Sequence, residues 1–296
     1  MLQEILFILT TTIIYAGPLI LVTTGAMVTE KAGVINIGLE GLLTLAAFFS
    51  SAIALKTQSI NLAFFYTLII ISFFLTLLGL FYIKFKANQI IASLSLNFIG
   101  PALSLFLCKI FFDGSSMTPP VSDSLKLPAV MGLYPTILVG IVAIALLHYL
   151  LNKTAIGLSI IATGENPEAA KSSGVKTNQI KFFALLVSGL FYTLAGMTLS
   201  LGIVSSFRAT LVSGQGYMAL ALVIFSQWDF KKIIPASLLF GATQALIIFL
   251  GGLDIEKFQV ANIPSQILST FPYLLTLIVL IVLNKKSSAP LSLGKI

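Results

Sequence analysis

Long apolar segments that are almost free of charge restrict the fold of this chain more than any other feature. Nine such segments lie near residues 5–28, 34–55, 61–83, 88–108, 131–151, 181–204, 215–229, 233–251 and 265–284. Because a helix rises about 1.5 Å per residue, roughly 20 apolar residues cross a hydrocarbon core of about 30 Å. Charged residues make up 9% of the 296-residue chain, against about 25% in soluble proteins. The sequence therefore predicts one all-α polytopic membrane domain over residues 1–296, with about nine transmembrane helices.

The basic residues predict the orientation of these helices. Twelve lysines fall in alternate connections, namely 29–33, 84–87, 152–181, 228–232 and 284–296, whereas five basic residues fall elsewhere. By the positive-inside rule the lysine-rich connections face the cytoplasm, so we expect an outside N terminus and a cytoplasmic C terminus. The formal charge of +7 does not indicate nucleic-acid binding, because the basic residues are dispersed between apolar segments instead of forming a stripe.

Two of the predicted spans contain features that interrupt a helix. The second begins GVINIGLEGLL, where glycines lower the helix propensity and Asn36 and Glu40 bring polar groups to membrane depth. The seventh offers only about 14 residues before Asp229. Irregular backbone at this depth needs cover from protein or a water-filled cavity. We therefore expect both interrupted spans to line a pathway.

A weak internal similarity relates the two interrupted spans. At an offset of about 175 residues, the matches are Glu40, Gly41, Leu45 and Ala46 with Gln215, Gly216, Leu220 and Ala221, and Gln89 and Ile90 with Gln266 and Ile267. On the predicted orientation each pair runs in opposite directions, as in an inverted repeat. So few matches also arise by chance in an apolar sequence.

Six polar residues at membrane depth are candidates for lining the pathway. They are Asn36, Glu40, Gln89, Ser93, Asn97 and Gln215. The three on the fourth span recur at i, i+4 and i+8 and form one stripe, which either lines the path or holds helices together. Glu40 has two interpretations as well. It is a functional intramembrane carboxylate, or it pairs with Lys31 or a backbone group for structural reasons.

The connection between the fifth and sixth spans contains signals for one short polar helix near 167–173. Asn166 is a favourable N-cap, Pro167 suits the first helical position, and Glu168 suits the positive helix end. Lys171 falls in the last turn and Gly174 is a suitable terminator. Such a helix is too short to span a bilayer, so it is either a connector or a docking element for a soluble partner.

The sequence offers few residues that could form a catalytic or metal-binding site. The chain has one cysteine, Cys108, and one histidine, His148, so we expect no disulfide and no metal site. It lacks a GxxxxGK[ST] phosphate loop and cannot hydrolyse ATP by that route. No catalytic residues are predicted, which disfavours an integral membrane enzyme.

Several of these segments together resemble the permease subunits of bacterial ABC importers. They are GVINIGLEG (33–41), ANQIIASLSLN (87–97), ATGENPEAAKSSGV (162–175), GYMALALVIFSQW (216–228) and IPSQILSTFPYLLTL (263–277). The resemblance is to the branch that includes branched-chain amino acid and simple sugar permeases. Within it, NIGLEG is most similar to nucleoside-type permeases.

This resemblance implies a type II ABC importer-like fold in the inner membrane. It implies two cytoplasmic ATPase subunits that bind ATP and magnesium, a second permease subunit, often a different chain, and an extracytoplasmic binding protein. The residues that match the ATPase-coupling helix are Gly164, Glu165, Asn166, Pro167, Glu168, Ala169, Ala170 and Gly174. The function expected is ATP-driven nucleoside import. The alternative is a secondary transporter in which Glu40 carries a proton.

Overall fold

The computed structural model describes residues 2–129, 133–252 and 289–295, together with residues 270 and 274. Ten α-helices occur in these ranges. They are α1 (Leu2–Lys31), α2 (Leu39–Thr57), α3 (Ile60–Ile83), α4 (Gln89–Phe111), α5 (Pro135–Lys153), α6 (Ala155–Glu165), α7 (Pro167–Ser172), α8 (Thr177–Met197), α9 (Gln215–Phe225) and α10 (Ile233–Gly252). A π-helical segment, Thr198–Ile203, continues α8.

Seven of these helices are long and apolar enough to cross a membrane, with α8 and its π-helical extension counted together. The predicted all-α polytopic class is confirmed. The seventh predicted span is the 11-residue helix α9, and the ninth, 265–284, lies outside the described residues apart from positions 270 and 274. The count of nine is therefore approximate. Helix α6 was missed, because its apolar residues were read as part of a connection.

Helices α2 and α8 form the centre of the bundle. Buried residues make up 72% of the most apolar part of each, against 22% for α4. The outer helices α3, α4 and α5 expose large apolar side chains, including Phe65, Ile69, Phe73, Ile91, Phe98, Phe106 and Leu146. Such a surface suits contact with lipid instead of water. Of these two central helices, α2 is one that the sequence predicts to be interrupted.

The predicted interruption of the second span is confirmed. Residues 32–38 are not helical, and α2 begins only at Leu39. The polar stripe on α4 provides hydrogen-bond partners for this non-helical backbone. Gln89 Oε1 accepts from Ile35 N at 2.8 Å, Ser93 Oγ accepts from Ile37 N at 3.1 Å, and Asn97 Nδ2 donates to Ile37 O at 2.9 Å. The stripe thus supplies the polar partners that backbone at membrane depth requires.

Close backbone contact between α2 and α4 requires glycine. A Cβ on Gly41 would lie 1.9 Å from Leu96 O, and a Cβ on Gly100 would lie 2.4 Å from Gly41 O. Small residues at helix contacts in membranes allow backbones to approach in this way. This close approach allows the side-chain oxygen Asn97 Oδ1 to accept a hydrogen bond from Gly41 N at 3.0 Å.

The end of the bundle remote from α7 is closed by the long connection after α4. Residues 117–127 run beside residues 201–208 and share backbone hydrogen bonds with them. Thr118 Oγ1 accepts from Phe207 N at 2.9 Å and lies 3.0 Å from Ser51 Oγ near the end of α2.

Candidate functional site: a junction of two helix N-termini

Helices α2 and α9 begin at the same place, and the carboxylate of Glu40 joins them. Glu40 Oε1 accepts from Gly214 N at 2.6 Å, and Oε2 accepts from Gly216 N at 2.8 Å. A Cβ on Gly216 would lie 2.4 Å from Glu40 N, so only glycine permits this approach. First-turn N–H groups carry partial positive charge. One carboxylate therefore compensates two helix N-termini that would otherwise repel each other.

The two helices leave this junction in opposite directions. Helix α2 runs from Glu40 towards Ser51, which contacts Thr118 at the closed end of the bundle. Helix α9 leads to Trp228, whose indole contacts Glu30 at the end of α1. This is the geometry that an inverted repeat predicts for the match between Glu40 and Gln215. The second match involves Gln266 and Ile267, which lie outside the described residues.

The depth of the junction follows from the length of the polar stripe. Gln89 and Asn97 are eight residues apart on α4, which corresponds to about 12 Å along the helix axis. Since Gln89 contacts the start of the non-helical segment and Asn97 contacts Gly41, the junction lies well inside the bundle. Asn97 Nδ2 also donates to the Tyr217 hydroxyl at 3.0 Å, which ties α4 to α9.

The structure therefore brings all six predicted pathway residues to one region. Asn36 Oδ1 accepts from Gly38 N at 3.0 Å within the interruption. Glu40 does not pair with Lys31. Its carboxylate binds backbone N–H groups 174 and 176 residues away, which matches the other form of the structural interpretation, a backbone partner. Two buried atoms at the site, Asn36 Nδ2 and Gln215 Oε1, have no hydrogen-bond partner in the described structure. Buried polar atoms without a partner are uncommon in folded proteins.

Glu30 and Trp228 form a second buried polar contact, which sequence reasoning missed. Glu30 is 7% exposed, and its Oε2 accepts from Trp228 Nε1 at 2.6 Å. A carboxylate in the last turn of α1 is unfavourable next to the negative helix end, so the indole donor offsets part of that cost. Glu30 precedes Lys31 at the end of an apolar span, and glutamate side chains are usually exposed to water. No local signal links it to a tryptophan 198 residues away.

We predict that Trp228→Phe lowers the free energy of unfolding by about 1–3 kcal/mol, because the buried carboxylate loses its donor. The measurement is the apparent Tm of the purified chain in detergent. A Glu30→Gln/Trp228→Phe double variant is the control, since it removes the charge together with the donor, and it should recover part of the loss. A single variant as stable as the original chain would contradict this role for the indole.

The predicted polar helix is present as α7, Pro167–Ser172. Asn166 Oδ1 accepts from Ala169 N at 3.0 Å, and Gly174 ends the segment with φ +85°. Glu168 and Ala169 are exposed, whereas Ala170 packs inward. The helix thus presents a rigid, capped surface at one end of the bundle.

The segment 289–295 lies between the end of α6, directly before α7, and the interruption before α2. Ser292 N donates to Gly164 O at 3.0 Å, and Gly294 N donates to Gly33 O at 3.2 Å. A Cβ on Gly164 would lie 2.2 Å from Lys31 O, so the end of α6 packs directly on the end of α1. The residues that lead into α7 are therefore linked to the interruption by short contacts.

The remaining candidates carry no cluster of reactive groups. Cys108 is buried, and His148 lies on the exposed surface of α5 beside Asn152. Within the part of the chain that the structure describes, no group of three or more His, Cys, Asp or Glu residues is placed to hold a metal ion.

A bundle of membrane-spanning helices with interrupted helices meeting inside it defines a membrane transport protein. The chain belongs to the family described as the branched-chain amino acid transport system permease component, whose model matches residues 7–283. It is thus a multi-pass permease subunit of the ABC transporter class, as the sequence motifs predict.

Proteins of similar sequence are also named as ABC transporter permeases. The chain is 29% identical to the nucleoside ABC transporter permease protein NupC of Lactococcus lactis subsp. cremoris, covering 94% of this chain and 92% of that protein. It is 30% identical to the guanosine ABC transporter permease protein NupQ of Bacillus subtilis, covering 99% and 96%. Among solved structures, an inward-facing ABC transporter of the metal-chelate type shows a TM-score of 0.49 at 19% identity, covering 95% and 87%.

Proposed function

We propose that this chain translocates nucleosides across the cytoplasmic membrane of a bacterium, driven by ATP hydrolysis in separate ATPase subunits. The names of two relatives, a nucleoside permease and a guanosine permease, support the substrate class. The observation that supports the mechanism is the set of contacts that residues 289–295 make with the end of α6, directly before α7, and with the interruption before α2. ATP and magnesium are held by the partner, and this chain supplies the translocation path.

The mechanism is alternating access. Nucleotide-dependent binding of an ATPase moves α7, and only a difference in contacts between the two states can drive that movement. The displacement reaches Gly33 and then the junction at Glu40, where α2 and α9 separate or close. At the opposite end, opening requires residues 117–127 to leave residues 201–208. Residues Gly164, Glu165, Asn166, Pro167, Glu168, Ala169, Ala170 and Gly174 form the coupling element.

The nucleoside contacts are assigned to the junction. Asn36 Nδ2 is a free donor and Gln215 Oε1 is a free acceptor, so together they match the mixed polarity of a ribose or base edge. Glu40, Gln89, Ser93 and Asn97 complete the polar wall, although their present hydrogen bonds are to the protein. Substrate binding and the opening of the junction are therefore coupled.

The complex includes further subunits under this proposal. Two permease chains bind two ATPase subunits, and the second permease is a different homologous chain. The permeases receive substrate from an extracytoplasmic binding protein. The N terminus lies outside and the C terminus is cytoplasmic, which places α7 and its lysine-rich neighbours on the side of the ATPase.

Proton coupling through Glu40 is disfavoured. Both carboxylate oxygens accept from backbone N–H groups at the start of α9, so protonation would weaken the acceptor that these groups need. Proteoliposomes that contain the complete complex and internal ATP distinguish the two mechanisms. We expect uptake of radiolabelled guanosine to survive a proton ionophore and to stop when ATP is omitted. Ionophore-sensitive uptake without ATP would overturn the proposal.

A further inference from the structure

A lysine-lined cavity of about 220 Å³ lies beside α7, at the end of the bundle opposite residues 117–127. It is bounded by the end of α3, the start of α4, α7 and the start of α8. Its polar lining consists of Tyr82, Lys86, Gln89, Lys171, Asn178 and Lys181, and no carboxylate occurs among the described residues that line it. The cavity is therefore strongly positive.

Lys181 is the most unusual of these residues, because its side chain is buried without a counterion. It is 7% exposed, and its ammonium donates to the carbonyl of Lys295 at 3.3 Å. Nowhere in the described ranges does a carboxylate lie within 4 Å of this ammonium. A buried charge is costly unless it is paired, so the site lacks a negative partner.

The helix ends increase the positive potential. Helix α4 begins at Gln89 and α8 begins at Thr177, so two N-termini lie at the cavity wall. Each helix start carries partial positive charge from the helix dipole. At α4 the Asn88 side chain accepts from Ile90 N and Ile91 N, whereas no side chain caps the start of α8. Lys181 lies in the second turn of α8, where a cation is unfavourable unless an anion is also present.

Unused hydrogen-bond donors face the same region. The Tyr82 hydroxyl is buried and has no hydrogen-bond partner in the described structure. Its polar neighbour Ser93 donates instead to the Gln89 carbonyl and accepts from Ile37 N. Gln89 Oε1 accepts a hydrogen bond from Ile35 N, so the NH₂ group of Gln89 remains available to a ligand. Buried donors of this kind normally have partners.

We propose that this cavity binds a phosphate group, which bridges α7 to the starts of α4 and α8. The volume is below the roughly 300–1,000 Å³ of pockets for larger ligands, so it suits a compact anion instead of a whole nucleoside. Lysine ammonium groups bind phosphate as point charges. The group comes either from an anionic lipid, since basic pockets between membrane helices bind lipid headgroups, or from free phosphate. The site shares Gln89 with the proposed nucleoside path, but its three lysines do not belong to that path.

The test uses the purified full chain in detergent with two probes, phosphatidylglycerol in mixed micelles and inorganic phosphate against chloride at equal ionic strength. We expect at least one probe to raise the apparent Tm. Lys181→Met and Lys86→Gln should weaken the apparent affinity about tenfold or more, as loss of a charge-assisted contact implies. Lys84→Gln is the matched control, because Lys84 is also exposed at the end of α3 but does not line the cavity.

The outcomes separate the two sources of phosphate. Phosphatidylglycerol retained in native mass spectra of the original chain and lost from both variants identifies a lipid headgroup. A Tm rise with inorganic phosphate alone identifies free phosphate. Absence of any effect of either probe, or equal effects in Lys84→Gln and Lys86→Gln, would overturn the proposal. If Lys181→Met does not fold, the exposed Lys86→Gln still decides the question. All of these measurements are independent of ATP and of guanosine uptake.

Discussion

Replacement of Glu40 by alanine is expected to abolish uptake and to lower the free energy of unfolding by about 2–6 kcal/mol. The variant leaves Gly214 N and Gly216 N without their acceptors, at about 1–3 kcal/mol for each buried donor. It also removes the negative charge between two helix N-termini. Since the free energy of unfolding of a folded domain is only about 5–15 kcal/mol, the loss is a large fraction of the total stability.

The apparent Tm in detergent and guanosine uptake in proteoliposomes measure this effect. Glu40→Gln is the graded control, because it keeps one acceptor oxygen, and we expect it to lose about half as much stability as Glu40→Ala. Asp123→Ala is the control for loss of a carboxylate on an exposed surface. A Glu40→Ala variant that unfolds at the same temperature as the original chain would refute the structural role of the junction. A folded variant lacking only proton-driven uptake would instead support the secondary transporter.

Glu168→Lys is expected to reduce ATP-driven uptake at least about tenfold while leaving membrane insertion intact. Glu168 lies in the first turn of α7, is exposed, and makes no ion pair within the described part of the chain. Charge reversal there costs the short helix about 0.3–1 kcal/mol, which is too little to unfold the bundle. A loss of activity would therefore report on the contact with the ATPase, where loss of one charge pair is worth a factor of ten or more.

Uptake, the amount of inserted protein and the ATPase subunits that copurify should be measured together for this variant. Asp113→Lys is the control, because it makes the same charge change at an exposed position in the connection after α4, outside residues 117–127 and remote from α7. We expect Asp113→Lys to keep normal coupling. Normal uptake by Glu168→Lys at normal expression would remove α7 from the proposed coupling element.

Under the proposed mechanism, the contacts of residues 289–295 with the end of α6 and with the interruption carry the movement of α7. Coupling between sites needs an element with two arrangements that both sites influence, and spatial proximity alone does not establish it. We propose that the interruption at residues 32–38 is this element, because its backbone hydrogen bonds are made by side chains of α4 instead of by a helix. Side-chain partners exchange more readily than a helical ladder.

Local chemistry was sufficient to predict several elements. The limits of α7 followed from Asn166 and Gly174, because capping and left-handed turns depend on a few adjacent residues. The interruption before α2 followed from its glycines and from Asn36. Helix α6 was missed because 11 residues are too few for a span, and hydropathy alone does not separate a short apolar helix from an apolar connection.

The sequence by itself determined that the chain spans a membrane, where most spans lie, and which span is interrupted, because hydropathy and helix propensity are properties of neighbouring residues. Only the tertiary structure decided that Glu40 joins two helix N-termini, that Glu30 contacts Trp228, and that Lys181 is buried with no counterion among the described residues. These pairings join residues far apart in the chain. They depend on how helices pack against one another, and no local pattern of residue types specifies that packing.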